Sequence, residues 1–186
     1  MKLISKQIPE VKILQTEQFF DKRGFFSEVF SKKFLDVSFV QDNESKSSYG
    51  VLRGLHFQKG KYSQSKLVRV VKGMVLDLAV DIRKGSPTFG KYVSVELSED
   101  NHRQFFVPRG FAHGFSVLSE EAVFQYKCDN LYSPQNEGAI AWDDPQIGVD
   151  WKIPADKAIL SAKDAAHPML KDCDCLFDFN EDLYAQ

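Results

Sequence analysis

Three cysteines, four histidines and a net charge of −2 in 186 residues are thin holdings, and each scarcity removes a class of protein. Cys128, Cys173 and Cys175 form an odd set without the spacing of a disulfide framework, so a reduced, cytoplasmic protein is expected. Cys173-Asp-Cys175 has no matching pair elsewhere with which to clip a metal. The nearly balanced charge supplies no basic field for nucleic acid, so an anionic ligand must be met by local cations. No stretch approaches the roughly 18 apolar residues of a membrane span. Residues 1–14 contain no apolar core of a signal peptide. Neither nucleic acid nor a membrane is an expected partner.

What is present points to β-structure. Sixteen Phe, six Tyr and two Trp join β-branched residues through the middle of the chain. Residues 66–71 and 74–82 read as two strands joined by a tight Lys72-Gly73 turn. Further strands are expected over 92–97, 104–107, 113–118 and 122–128. Turn-forming clusters at 84–87, 98–101, 108–110 and 119–121 separate them. That rhythm predicts a single all-β domain over residues 1–186, a sandwich or jelly roll, with short helices at 32–36 and a turn near 155–159. From about residue 151 the strand rhythm fades, and the chain is expected to wrap over the barrel.

Two segments carry chemistry. Arg53-Gly-Leu-His-Phe-Gln58 is answered by Pro108-Arg-Gly-Phe-Ala-His-Gly-Phe115, each placing an imidazole beside glycine and aromatic residues in β-like surroundings. Strand parity puts Lys66 on the face of Val68 and Val70, and Tyr126 on that of Ala122, Phe124 and Cys128, where its hydroxyl needs a partner. Parity is silent for His56, because Gly54 is a candidate bulge that resets the alternation. Histidine base, lysine and tyrosine together suit proton transfer beside a carbonyl. Taken alone, each also has a structural reading, as a hydrogen-bonded core histidine, a snorkelling lysine or a satisfied core tyrosine.

A jelly roll with Pro108-x-Gly-x-x-His113 resembles the cupin superfamily. Metal-binding cupins need a His-x-His pair in their first motif; around His56 stand Leu55, Phe57 and Gln58, so no catalytic metal and no cofactor are expected. More closely, the chain resembles the metal-independent dTDP-4-dehydrorhamnose 3,5-epimerase family. The resemblance runs through Phe20-Asp-Lys-Arg-Gly-Phe-Phe-Ser-Glu28, Gln41-Asp-Asn-Glu-Ser45, Gly50-Val-Leu-Arg-Gly-Leu-His-Phe-Gln58 and Gln64-Ser-Lys-Leu-Val-Arg-Val-Val71. It continues through residues 81–90, 108–115, Trp142-Asp-Asp-Pro145 and Leu160-Ser-Ala-Lys-Asp164.

That resemblance implies a cupin-type jelly-roll β-sandwich with short peripheral helices, acting on a dTDP-4-keto-6-deoxysugar. It makes His56 the base, Asp164 its partner, Lys66 the enolate stabiliser, and Tyr126 the acid on the opposite face. His113 would line the same pocket. Arg53, with Arg23 from a neighbouring subunit, would meet the diphosphate, where a planar guanidinium suits the oxygens. Tyr132 would stack on thymine, and Glu28, Gln41, Asn43 and Ser45 would supply polar contacts, with Trp142 and Lys171 at the rim. A homodimer with exchanged N-terminal strands is implied, in keeping with an apolar segment at 19–30 that suits no exposed edge. The alternative is an epimerase of a single carbon, C3 or C5, in a related sugar. From other classes stand a sugar- or nucleotide-binding cupin without catalysis, and a metal-dependent cupin enzyme. Three residues depart from the family pattern: Arg109 at an acidic position, expected to be peripheral; Leu131 before Tyr132; and Cys128 in place of threonine.

Overall fold

Antiparallel strands that bury one face against another sheet are the simplest use of this alternating pattern, and two such sheets build the protein. The computed structural model describes residues 1–5, 8–174 and 176–185. One sheet orders its six strands β1 (Lys2–Ser5), β2 (Lys12–Gln15), β11 (Arg103–Val107), β7 (Lys66–Lys72), β13 (Glu121–Cys128) and β5 (Gln41–Ser48). The other orders five strands β10 (Tyr92–Ser98), β8 (Met74–Asp81), β12 (Phe111–Val117), β6 (Leu52–Gln58) and β14 (Glu137–Ala139). A separate hairpin pairs β3 (Phe19–Asp21) with β4 (Gly24–Phe26), and β9 (Arg83–Lys84) pairs in parallel with β15 (Phe177–Asp178). This is the all-β, cupin-like jelly roll expected, and the helical pieces described are single 3-10 turns.

The core lies between the sheets. Val68, Val70, Phe105 and Phe124 from one meet Val75, Ala79, Val93, Phe115 and Val117 from the other. A second apolar layer covers the outer face of the five-stranded sheet: Leu78, Val80 and Ile82 pack with Ile140, Trp151, Leu170, Phe177 and Leu183. Odd and even residues of β8 thus serve different layers, as a period of two requires. This is why the strand reads as a nearly unbroken apolar run.

Two expectations need correction. The strands at 66–72 and 74–81 exist, but they lie in different sheets, so the turn between them is a corner and not a hairpin. Gly73 makes it with φ of +78°, and a Cβ there would stand 2.0 Å from the Glu121 carbonyl oxygen, a contact no other residue tolerates. The expected helix at 32–36 is one turn, closed by Phe34 and Leu35 amides on the Ser31 carbonyl, with nothing to propagate it. The turn near 155 is present as a 3-10 turn over Ala155–Lys157. Cys175 lies outside the described residues.

Candidate active site

The site begins with a change of parity in β6. Opposite β12, Arg53 pairs with Phe115 and His56 with His113, so three steps on β6 match two on β12. This bulge at Gly54 and Leu55 lets Leu52, Leu55 and Phe57 enter the outer apolar layer while both Arg53 and His56 face inward. The backbones nearly touch there: a Cβ on Gly54 would lie 2.6 Å from the Gly114 Cα. The bulge that parity alone left open is therefore what turns the imidazole towards the interior.

Two adjoining hollows of about 270 Å³ each share His56, Lys66 and Tyr126 and form one cleft between the sheets. His56 and His113 come from the five-stranded sheet; Lys66 and Tyr126 come from the opposite wall. Gln41, Asn43 and Ser45, alternate residues of β5, complete the polar lining. Arg53 stands exposed at the mouth, its guanidinium 3.2 Å from the Ser47 hydroxyl. Tyr132 flanks the cleft, its hydroxyl donating to Glu137 at 2.7 Å. Its backbone amide donates to Gln41 Oε1 at 3.1 Å.

Both histidines are held by carboxylates. His56 Nε2 lies 2.5 Å from Asp164 Oδ1, across 108 residues of sequence. Asp164 opens a 3-10 turn, and its other oxygen accepts from the Ser161 hydroxyl at 2.7 Å. Burial alone would raise its carboxyl; the hydrogen bonds from His56 and Ser161, with the imidazoles' charge, hold it at about 2. With Nε2 committed, Nδ1 of His56 is the nitrogen left to take a proton. His113 Nε2 lies 2.9 Å from Asp77 Oδ1, and burial pushes that carboxyl up against the pull of His113.

Lys66 sits half-buried on the cleft floor, its ammonium 5.8 Å from the centre of the Tyr126 ring. Burial pushes the ammonium down, and the nearby acidic groups of Cys128, Asp77 and Glu137 oppose that shift. The same burial pushes the Tyr126 phenol up. A carboxylate-held imidazole on one wall thus faces an ammonium and a protonated phenol on the other. That arrangement can remove a proton from carbon, hold an enolate, and return a proton from the far side. Between the two walls, where Lys66 faces His56, a divalent ion would fit poorly, because the Lys66 ammonium would repel it.

Other expected residues stand elsewhere. Arg23 lies at the tip of the β3–β4 hairpin, paired with Asp21, and Glu28 is exposed just beyond it. Trp142 packs against the outer apolar layer, where its carbonyl accepts from Trp151 Nε1. Lys171 is exposed on a 3-10 turn, and neither lines the cleft. Arg109, expected to be peripheral, does not line the cleft, yet its side chain is nearly covered: it pairs with Asp129 at 3.1 Å, donates to the Leu183 carbonyl at 2.7 Å, and lies over the Tyr184 ring.

Sequence reasoning missed Asp77, Glu137 and His167. Asp77 had a signal, a lone carboxylate in the inward row with Val75 and Ala79, which burial obliges to find a partner. His167 lies 3.4 Å from Asp164 Oδ1, its ring 5.5 Å from that of His56. Asp-x-x-His on a 3-10 turn, where residues three apart eclipse, was the available signal.

Comparison with known proteins agrees with this geometry. Residues 5–172 match the family described as dTDP-4-dehydrorhamnose 3,5-epimerase. A curated enzyme of that name from Salmonella typhimurium is 53% identical over 176 residues, covering 91% of this chain and 96% of its own length. The crystal structure of a dTDP-4-dehydrorhamnose 3,5-epimerase from Elizabethkingia anophelis matches with a TM-score of 0.88 at 51% identity, covering 92% of this chain and 97% of that one. A dTDP-6-deoxy-D-glucose-3,5-epimerase from Legionella pneumophila, solved in complex with dTDP-4-keto-L-rhamnose, matches with a TM-score of 0.92 at 47% identity. That match covers 97% of this chain and 99% of the other.

Proposed function

Because this chain belongs to the dTDP-4-dehydrorhamnose 3,5-epimerase family, we propose that its cleft inverts C3 and C5 of dTDP-4-dehydro-6-deoxy-D-glucose, yielding dTDP-4-dehydro-L-rhamnose. The observation that carries the assignment of roles is the opposition of His56 and Tyr126 across the two sheets.

The 4-keto group acidifies the C–H bonds on either side of it. His56 removes a proton with Nδ1 while Asp164 holds Nε2–H and stabilises the imidazolium. Electron density moves to the C4 oxygen, where the Lys66 ammonium meets it; an ammonium whose pKa is pushed down by burial shares its proton more readily with that oxygen. Tyr126, kept protonated by burial, delivers its proton to the opposite face of the carbon. His56 and Tyr126 exchange their protons with water, and the same sequence repeats at the second carbon. No step requires an oxidant.

Arg53 at the mouth would meet the diphosphate, and Tyr132 beside the cleft would stack on the thymine. Gln41, Asn43 and Ser45 offer hydrogen bonds along the cleft wall. Arg23 and Glu28 would enter from a second copy of the chain. The hairpin that carries Arg23 exposes Phe19, Phe20, Phe25 and Phe26, each by more than half of its surface, an apolar face that a partner subunit would cover.

The deciding experiment is incubation with dTDP-4-dehydro-6-deoxy-D-glucose in deuterium oxide, following C3 and C5 by proton NMR. Label at both carbons with an L-rhamno product is expected. Label at one carbon only would replace this reading with a single-carbon epimerase. Binding without exchange would remove catalysis altogether.

A further inference from the structure

We propose that His56, Asp164 and His167 form a binding site for a divalent transition-metal ion of the zinc class, and that occupation of this site switches the base off. The inference rests on the reading of His56 as the base.

His167 is the starting point. Its side chain is only 10% exposed, and its Nε2 atom has neither solvent contact nor a hydrogen-bond partner. Buried ring nitrogens are rarely left so, because the lost hydration goes unreplaced. The orphaned atom lies 3.4 Å from Asp164 Oδ1, and one ligand atom from each of His56, Asp164 and His167 lies within 4.8 Å of the others. A tetrahedral zinc ion with bonds of about 2.0–2.1 Å holds its ligand atoms roughly 3.3 Å apart. The His167–Asp164 distance already has that value. His56 and Asp164, now 2.5 Å apart across a shared proton, would separate by about 0.8 Å when the ion replaces that proton.

The surroundings support the same ligand. Two imidazoles and a carboxylate select zinc, cobalt, nickel or copper over magnesium and calcium. Ser161 holds Asp164 Oδ2 at 2.7 Å and leaves Oδ1 for the ion, the kind of outer contact that orients a ligating carboxylate. The adjacent Lys163 ammonium is engaged by Glu137 at 2.5 Å, which offsets its repulsion. His167 also borders a hollow of about 430 Å³ with Lys163, Glu137, Asp172 and Asp174, on the far side of the dyad from Lys66. A water molecule would complete the fourth position.

Inhibition follows from the tautomer. An ion on His56 Nε2 requires a lone pair there, so the ring proton moves to Nδ1. The nitrogen facing the sugar then carries a hydrogen and no lone pair, and C–H removal stops.

The test uses chelator-treated full-length protein. Cobalt(II) is titrated by calorimetry and visible absorption, and turnover is measured with and without zinc, each variant against its own metal-free rate. The expected result is one cobalt ion per chain with four-coordinate bands, zinc inhibition reversed by chelator, and no response to magnesium. His167→Gln and His167→Asn should weaken zinc inhibition and cobalt affinity at least tenfold. Equal zinc sensitivity in both variants, or no stoichiometric cobalt binding by the parent chain, overturns the proposal. Cobalt binding is read without substrate, so failure of the epimerase reading would show separately as absent turnover.

Discussion

The Arg109 guanidinium and the Asp129 carboxylate are paired at 3.1 Å with less than a tenth of either side chain exposed. Asp129 also accepts the Ser65 amide at 2.6 Å, and Ser65 shares a hydrogen bond with the Tyr184 hydroxyl at 2.9 Å. The residue after Ser65 is Lys66. The pair therefore fastens the C-terminal residues to the start of the strand that carries Lys66.

Arg109→Glu would set two carboxylates against each other in a dry site. It should cost about 3–5 kcal/mol of stability, read by chemical denaturation. Arg109→Met with Asp129→Leu should recover part of that loss, because it leaves no unpaired charge. A parent-like denaturation midpoint for Arg109→Glu would show that the pair is not what secures the tail.

Asp164→Asn should lower kcat by about 10²–10⁴-fold, since the amide cannot hold the His56 tautomer or stabilise its cation. Its stability effect is pH-dependent with a definite sign. The folded carboxyl sits at about 2, below the ordinary 3.8, so it stabilises the fold fully above about pH 4 by roughly 2 kcal/mol. That contribution is lost as pH falls from about 4 to 2, because the unfolded chain takes up its proton first. Denaturation curves of the two proteins should therefore converge on acidification.

Tyr126→Phe should separate the half-reactions. With His56 intact, solvent deuterium should still enter the sugar from the base's own face, while inversion falls about 10²–10⁴-fold. Retained inversion in the variant would move the acid role to another group.

A second subunit is expected over the aromatic hairpin. Phe20→Asp with Phe25→Asp should convert a dimeric mass to a monomeric one in light scattering, with a raised KM. Arg23→Ala should leave the dimer intact and raise KM by roughly 10–100-fold, the worth of one charge-assisted contact to phosphate. A monomeric parent protein would remove both expectations.

Much of this was legible in the sequence, and the illegible parts have identifiable causes. Strands at 92–98, 111–117 and 121–128 show because each turns apolar residues to the core on alternate positions. Gln41–Ser48 does not show as a strand: one of its faces lines a polar cleft and the other meets water, so hydropathy carries no period. The Lys72-Gly73 turn looked like a hairpin because sequence records the sharpness of a bend and not its destination. The covering of the Arg109 side chain is not legible because its partners, Asp129 and the chain around Leu183, are supplied by distant segments. The dyad between His56 and Asp164 came through family resemblance alone, since nothing local to either residue announces a contact 108 positions away.

The bulge in β6 decides which groups can share a wall. Arg53 and His56 stand an odd number of residues apart, so a strictly alternating strand would send one of them into the greasy outer layer. With two residues set against one on β12, the same strand presents both a guanidinium and an imidazole to the cleft and still buries Leu52, Leu55 and Phe57 behind them.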